Sequence, residues 1–454
     1  MLKITLIYPF SADLKDKSIF RFPPLGLGYI AASLKQKGFN VELVDYTFLN
    51  NNEAAKKVRD SNPKIIGIYS MFSMKKKSLE LAKQFKKNDI LLIAGGPLPT
   101  LDPADFLKDF DIVVIGEGEV TIIELLNSVE KGKELSMIKG IAYKNQGKII
   151  INPPREYIRN LDELPFPSRE LFDNQSYKDY YLKRFNHSIT PIISSRGCPF
   201  MCDFCSSPVF GKKYRERSPS NIVDEIESIL ELDYDRVWFA DDCFTINRKH
   251  LLNICVEINK RGLKINWECL SRADTIDEET ATKMRQAGCI RIFFGIESGN
   301  DKILALMKKQ ITKNQAKNAV KTAKSAGLQV GAFFIIGYPG ESDQTILDTV
   351  NFASKLPLDY LSFTLPYPIP GTALFERVKE KINFPSDDWE ESKNWSFIRH
   401  KLLYDAGFSE KKLKFAILKA HLQFYIRKFL GKKGYRLIGM PIQKISNFIF
   451  VLMS

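Results

Sequence analysis

A chain of 454 residues with 44% hydrophobic and 26% charged residues is too long for a single core and too apolar to remain unfolded, so two or three domains are expected. No stretch reaches the ~18 uninterrupted apolar residues of a membrane span, and the opening MLKITLIYPF carries no leader cleavage site, which reads as a cytoplasmic protein. The net charge of +14 is spread over many helical lysines, which argues for solvated faces and against a nucleic-acid partner.

In chain order, KITLIYP, NVELVD, KIIGIYS, ILLIAGG and DIVVIGEG are short, almost continuously apolar runs, as strands of a parallel sheet covered on both faces should be. Helical patterns such as LGLGYIAASLKQKG separate them, the last closed by Gly38. This predicts a doubly wound, flavodoxin-like α/β domain over residues 1–135. A hairpin, GIAYKNQGKIIIN, turns at Asn145, Gln146 and Gly147, and NLDELPFPSREL then breaks regular structure at Pro165 and Pro167. Residues 136–185 are therefore expected to be hairpin and linker.

A second series follows over residues 186–380: TPIISS, RVWFAD, INWECLS, CIRIFFGIE, VGAFFIIG and YLSFTLP as strands, with Asp277 and Thr312 capping two of the intervening helices. Six βα repeats predict a (β/α)6 partial barrel of the TIM type, with its chemistry at the C-terminal strand ends. Residues 381–454, rich in Lys, Phe and Tyr, are expected to form a helical extension.

Seven cysteines, an odd number with three clustered, suit a reducing compartment and a metal site better than a disulfide framework. Cys198, Cys202 and Cys205 stand just after the first strand of the second series, spaced C-x3-C-x2-C. A structural zinc site needs a fourth ligand and would have to borrow Cys243 or Cys269. A four-iron cluster held by three thiolates instead leaves one iron open to another ligand. Cys255 fits a helical apolar pattern as a small core residue, and the four histidines form no ligand spacing.

The run CPFMCDFC resembles the signature of the radical S-adenosylmethionine (radical SAM) superfamily. The resemblance implies that Cys198, Cys202 and Cys205 hold a [4Fe–4S] cluster whose open iron chelates SAM, with Phe204 against the adenine. It further implies that Asp241 and Asp242 of FADDCFT stand at the SAM amine, that Arg272 of ECLSRAD pairs with the carboxylate, and that Glu297 of FFGIESGN bonds the ribose. Gly295 and Gly299 of that last run would let the backbone approach the nucleoside, while IIGYPGES and PYPIPGT resemble later turns of the same barrel. Ordinary strand-end polarity is the competing reading of Asp241, Asp242 and Arg272.

Ahead of the barrel, FPPLGLGYIAASLKQKGFNVELVD, AGGPLPTLDP and DIVVIGEGE together resemble the amino-terminal domain of cobalamin-dependent radical SAM enzymes. Gly95, Gly96, Glu117 and Gly118 are then the candidate cofactor-binding positions. The D-x-H-x-x-G motif that supplies a cobalt ligand elsewhere is absent, since His187 is the first histidine, which implies cobalamin without a histidine lower ligand. Leu98 also stands where the family often has histidine after G-G-P.

The resemblance implies a radical SAM enzyme that methylates an unactivated carbon through methylcobalamin, driven by a low-potential donor such as ferredoxin or flavodoxin. An oxidative cyclase or carbon–carbon coupling enzyme acting on a lipid or tetrapyrrole, without methyl transfer, is the alternative. A non-catalytic cobalamin or cluster sensor is the alternative of another class. The tail places Lys and Arg beside Phe, Tyr and Ile, which suits peripheral contact with an anionic membrane and an apolar substrate; a core-packing helix pair fits the same pattern.

Overall fold

The computed structural model describes residues 2–10, 18–87, 89–205, 210–382 and 402–453. The chain divides into two compact units, residues 1–199 with 207–242, and residues 200–206 with 243–454.

The first unit is built on a seven-stranded sheet: β1 (Lys3–Tyr8), β2 (Asn40–Asp45), β3 (Ile65–Tyr69), β4 (Leu91–Gly95), β5 (Ile112–Val114), β6 (Ile141–Asn145) and β7 (Lys148–Ile151). Its order is β2-β1-β3-β4-β5-β6-β7, with β1 to β5 parallel. That is the flavodoxin-type 2-1-3-4-5 order, whose direction reverses between β1 and β3. Alternation along each strand sends Ile7, Ile66, Leu92 and Val113 into one core, and Ile4, Ile65, Ile93 and Ile112 into another on the opposite face. Two apolar faces explain the continuous apolar runs, and each fully buried side chain contributes ~1.5–3 kcal/mol.

The hairpin turns where expected and belongs to the first sheet. β6 pairs antiparallel with β5 and β7 with β6, so the hairpin extends the first sheet by two strands. Ile141, Ala142 and Tyr143 are buried in succession, so the start of β6 is covered on both faces like the parallel strands beside it, whereas Lys144, Asn145 and most of β7 are exposed at the sheet edge. The Pro-rich stretch after it leads into a helix, Asn174–Phe185, capped by Asp173 and tied to β2 where Tyr177 donates to Asp45 at 2.7 Å.

Also in the first unit are β8 (Ile189–Ile192), the short antiparallel pair β9 (Ser195–Arg196) and β10 (Arg215–Glu216), and β11 (Arg236–Phe239), which lies parallel to β8. The second unit contains β12 (Asn266–Ser271), β13 (Cys289–Glu297), β14 (Gln329–Ile335) and β15 (Tyr360–Thr364), each parallel to the next. Helices Glu278–Gln286, Lys313–Ser325 and Asp343–Lys355 intervene. Asp277 and Thr312 cap the first two as the sequence predicts, accepting from the backbone N–H of Thr280 and Gln315.

The carboxy-terminal extension is helical over Glu410–Gly434, kinked at Gly431, and over Met440–Leu452, with a π-helical turn Tyr435–Gly439 between them. The beginning of that extension, residues 383–401, lies outside the described residues.

Candidate cofactor site

The second unit brings several of the expected residues to the C-terminal ends of its strands. Cys202 and Cys205 share one turn, closed by the Cys205 N–H donating to the Cys202 carbonyl at 3.3 Å. Cys205 is exposed and Cys202 partly so, whereas the intervening Asp203 is buried. Tyr338 donates to one Asp203 carboxylate oxygen and Arg377 Nη2 to the other at 2.7 Å. The Leu374 N–H reaches the Asp203 carbonyl at 2.9 Å, and the Asp203 N–H reaches the Met307 carbonyl at 3.1 Å. The cysteine-bearing turn is thereby pegged at its centre, while Cys202 and Cys205 stay accessible. Phe204 is half-buried on the same turn.

Arg272, directly after β12, reaches this loop. Its Nη1 lies 3.8 Å from Cys202 Sγ, and its guanidinium stacks 3.6 Å from the Phe200 ring centroid. Asp274 grips the other edge of the fork through two 2.9 Å bonds, and Nη2 also donates to the Lys309 carbonyl at 2.8 Å. A planar cation fixed at four points presents a directed charge beside the thiol.

Glu297 closes β13 with φ at +68°, a left-handed conformation that costs a non-glycine residue ~1–3 kcal/mol. A register shift between Gly295 and Glu297 accompanies it. Lys309 Nζ donates to Glu297 Oε1 at 2.9 Å, both side chains being buried. Burial alone would lower the Lys309 pKa, but the Glu297 carboxylate, with the Cys202 sulfur behind it, holds it above the usual range. Gly295 makes the arrangement sterically feasible: a Cβ there would stand 2.6 Å from Glu297 Oε1 and 3.0 Å from Lys309 Nζ.

In the first unit Cys198 follows β9 and is half-buried, its N–H donating to the Gly211 carbonyl at 3.1 Å. Asp241, after β11, is buried and accepts from Ser194 Oγ at 2.8 Å, the Ser194 N–H at 3.2 Å and Ser195 Oγ. Burial raises its pKa against those bonds. Asp242 beside it is exposed.

At the β1/β3 reversal, the rings of Tyr8 and Tyr69 pack 5.6 Å apart. Gly96 has φ at +113°, and a Cβ there would stand 2.6 Å from the Ser70 carbonyl; Gly95 has open space around it. Ser70 Oγ is buried there without a hydrogen-bond partner among the described residues. Leu98 is buried in the core with Leu92 and Phe106, so a side chain at this position packs inward. Gly118 opens helix Gly118–Glu130 and packs against Ile30, where a Cβ would meet Ile30 Cδ1 at 2.8 Å.

Glu117 stands apart from these. Arg215 Nη1 bonds both of its carboxylate oxygens at 2.9 Å, Arg196 bonds Oε1 at 3.1 Å, and the Ile158 N–H bonds Oε2 at 2.8 Å. Its side chain is thus the buried anion of a structural clamp, because two buried guanidinium groups demand a counter-charge.

The donor chemistry suits the cofactors the sequence implies. Three thiols within eight residues, two on one pegged turn beside a fixed cation, match a cluster held by thiolates, and an orphaned buried hydroxyl at a sheet reversal matches a polar ligand. Comparison with known proteins agrees. The model of the radical SAM superfamily matches residues 192–353 and that of the B12 binding domain residues 13–126. An uncharacterized methyltransferase of Pyrococcus horikoshii is 36% identical over 98% of this chain and 97% of its own.

The chain belongs to the cobalamin-dependent radical SAM family.

An anaerobic magnesium-protoporphyrin IX monomethyl ester cyclase of Rubrivivax gelatinosus is 30% identical, over 94% of this chain and 84% of its own. The cobalamin-dependent radical enzyme OxsB, solved with aqua-cobalamin and SAM, superposes with a TM-score of 0.74 over 99% of this chain and 72% of its own, at 20% identity. The fold is accordingly a flavodoxin-like B12-binding domain followed by a radical SAM (β/α)6 partial barrel. Family membership makes the chain an enzyme, and a [4Fe–4S] cluster, SAM and cobalamin its cofactors.

Sequence reasoning missed Lys309, Asp203, Tyr338 and Ser70. Lys309 lies in a run, MKKQIT, that carries no motif, and only the fold brings it to Glu297. Asp203 was visible within CPFMCDFC, but an acid between cysteines signals nothing until its partners, 135 and 174 residues away, are known.

Proposed function

We propose that this enzyme transfers a methyl group to an unactivated carbon of an apolar organic substrate. The observation that carries this reading is the B12-binding domain, joined along the whole chain to a relative described as a methyltransferase. When bound, the cluster and SAM supply one-electron chemistry that removes hydrogen from carbon, and cobalamin supplies the methyl group.

In this reading Cys198, Cys202 and Cys205 are the cluster ligands. Arg272 holds the SAM carboxylate, Glu297 the ribose, Phe204 the adenine, and Asp241 with Asp242 the amine. Lys309 donates to the Glu297 carboxylate and holds it in position, and Gly295 leaves the space that both require. Gly95, Gly96 and Gly118 shape the loops that receive cobalamin, with Ser70 Oγ offering a polar contact. Glu117 supports that region through Arg196 and Arg215. The single-electron donor is a low-potential protein such as ferredoxin or flavodoxin, and the setting is the reducing cytoplasm, where seven free cysteines persist.

Oxidative cyclisation is the second reading, favoured by the cyclase relative that matches 94% of the chain. Anaerobic purification with cobalamin supplied, followed by iron, sulfide and corrin quantification, is the first test. About four irons with near-stoichiometric corrin are expected. Cluster without corrin would sink methyl transfer from cobalamin. On reduction with SAM and candidate substrates, methylation yields S-adenosylhomocysteine together with 5′-deoxyadenosine. 5′-Deoxyadenosine alone with product would favour the cyclase reading, and no SAM cleavage under strong reductant would leave a binding protein.

A further inference from the structure

Helix Glu410–Gly434 buries Leu413, Ala416, Ile417, Ala420 and Phe424 along one stripe. Its other face is apolar too: Leu418, Leu422, Tyr425 and Phe429 follow one another at helical spacing and are all exposed, Phe429 at 76%. The next helix, Met440–Leu452, buries Phe450 and exposes Ile445, Phe448 and Leu452, Phe448 at 67%. Leu437, in the π-turn between them, is 79% exposed. A core-packing pair with a solvated polar face would show the reverse pattern, and exposed apolar surface on this scale marks an interaction site.

Charge identifies the partner. From Lys411 to Ser454 there are ten Lys and Arg and no Asp or Glu. Lys428, Lys433, Arg436 and Lys444 are exposed on the same two helices and the turn between them. A second copy of the chain docked face to face would set like charge against like around its apolar centre. A surface that is anionic at its boundary and apolar beneath satisfies both features, and that is a phospholipid bilayer carrying acidic headgroups.

We infer that the carboxy-terminal helix pair is a monotopic membrane-docking surface, laying its outward apolar residues into the headgroup region of an anionic bilayer. No described helix is long and apolar enough to cross a membrane, so the attachment is interfacial. The inference goes beyond the reaction proposed above and stands or falls separately from it.

The test is sedimentation of the full-length protein with phosphatidylcholine vesicles and with phosphatidylcholine–phosphatidylglycerol vesicles, at low and high salt. Binding to the anionic vesicles, weakened by salt, is expected. Phe429→Asp with Phe448→Asp should lower that binding roughly tenfold or more. Lys433→Glu with Arg436→Glu should lower it on anionic vesicles while circular dichroism and iron content stay as in the native protein, which guards against misfolding of the apolar variant. Equal sedimentation of native and charge-reversed protein, or none with either vesicle, would overturn the inference. Loss of a native dimer in both variants without vesicle binding would overturn it in favour of self-association.

Discussion

Glu341 follows the glycine turn after β14. Its Oε2 accepts from the N–H groups of Gly337 and Tyr338, at 2.6 and 2.9 Å, while Oε1 is buried without a hydrogen-bond partner among the described residues. Burial outweighs those bonds and pushes its pKa up to about 8. The unfolded chain therefore releases this proton well before the folded one does. Stability from the protonated acid is complete below the ordinary carboxylate range and declines as pH rises to about 8. Glu341→Gln keeps the accepting oxygen and removes the ionisation, so denaturant midpoints measured from pH 5 to pH 8 should fall less steeply for the variant than for the native protein. Parallel slopes would mean that Glu341 titrates normally. Residues of this kind are where sequence was least informative: Arg272 and Glu297 stand in recognisable runs, but Lys309 and Ser70 acquire meaning only through distant neighbours.

Among elements, the parallel strands were legible because burial on both faces writes itself as a continuous apolar run. The six strands of the second series lie where their apolar runs place them, to within a few residues. The membership of the hairpin was not legible, because which edge it joins is a long-range pairing that no local pattern records. The peg of the cysteine turn is also long-range: helix Ala373–Val378 supplies both the Leu374 N–H and the Arg377 guanidinium to Asp203. Arg377→Ala leaves a buried carboxylate with Tyr338 as its remaining side-chain partner, and because Arg377 is itself about a third exposed the expected loss is ~1–3 kcal/mol. With the turn loosened, a reconstituted cluster should release iron to a chelator several-fold faster than in the native protein. Identical release rates would show that the peg does not steady the thiols.

Across the whole molecule the seven cysteines separate into two populations. Cys198, Cys202 and Cys205 are exposed or half-buried, whereas Cys243, Cys255, Cys269 and Cys289 are buried. Burial raises the Cys243 pKa and pushes Cys255 up to about 12, which denies both the thiolate form that reacts. Brief alkylation of the cluster-free protein at neutral pH should label the first three and spare the other four, as peptide mass mapping would read. Reconstitution with iron and sulfide should then protect all three together. Persistent labelling of one of them would remove it from the ligand set.

The acid-free tail has a consequence for handling the protein. Ten of its fourteen excess positive charges belong to residues 411–454, so the preceding 410 residues are close to electrical balance and the sequence pI of about 9.2 is largely a property of one end. Proteolytic clipping ahead of the tail would shift the fragment's isoelectric point far more than its mass, and a cation-exchange column would separate it from intact protein that size exclusion barely resolves.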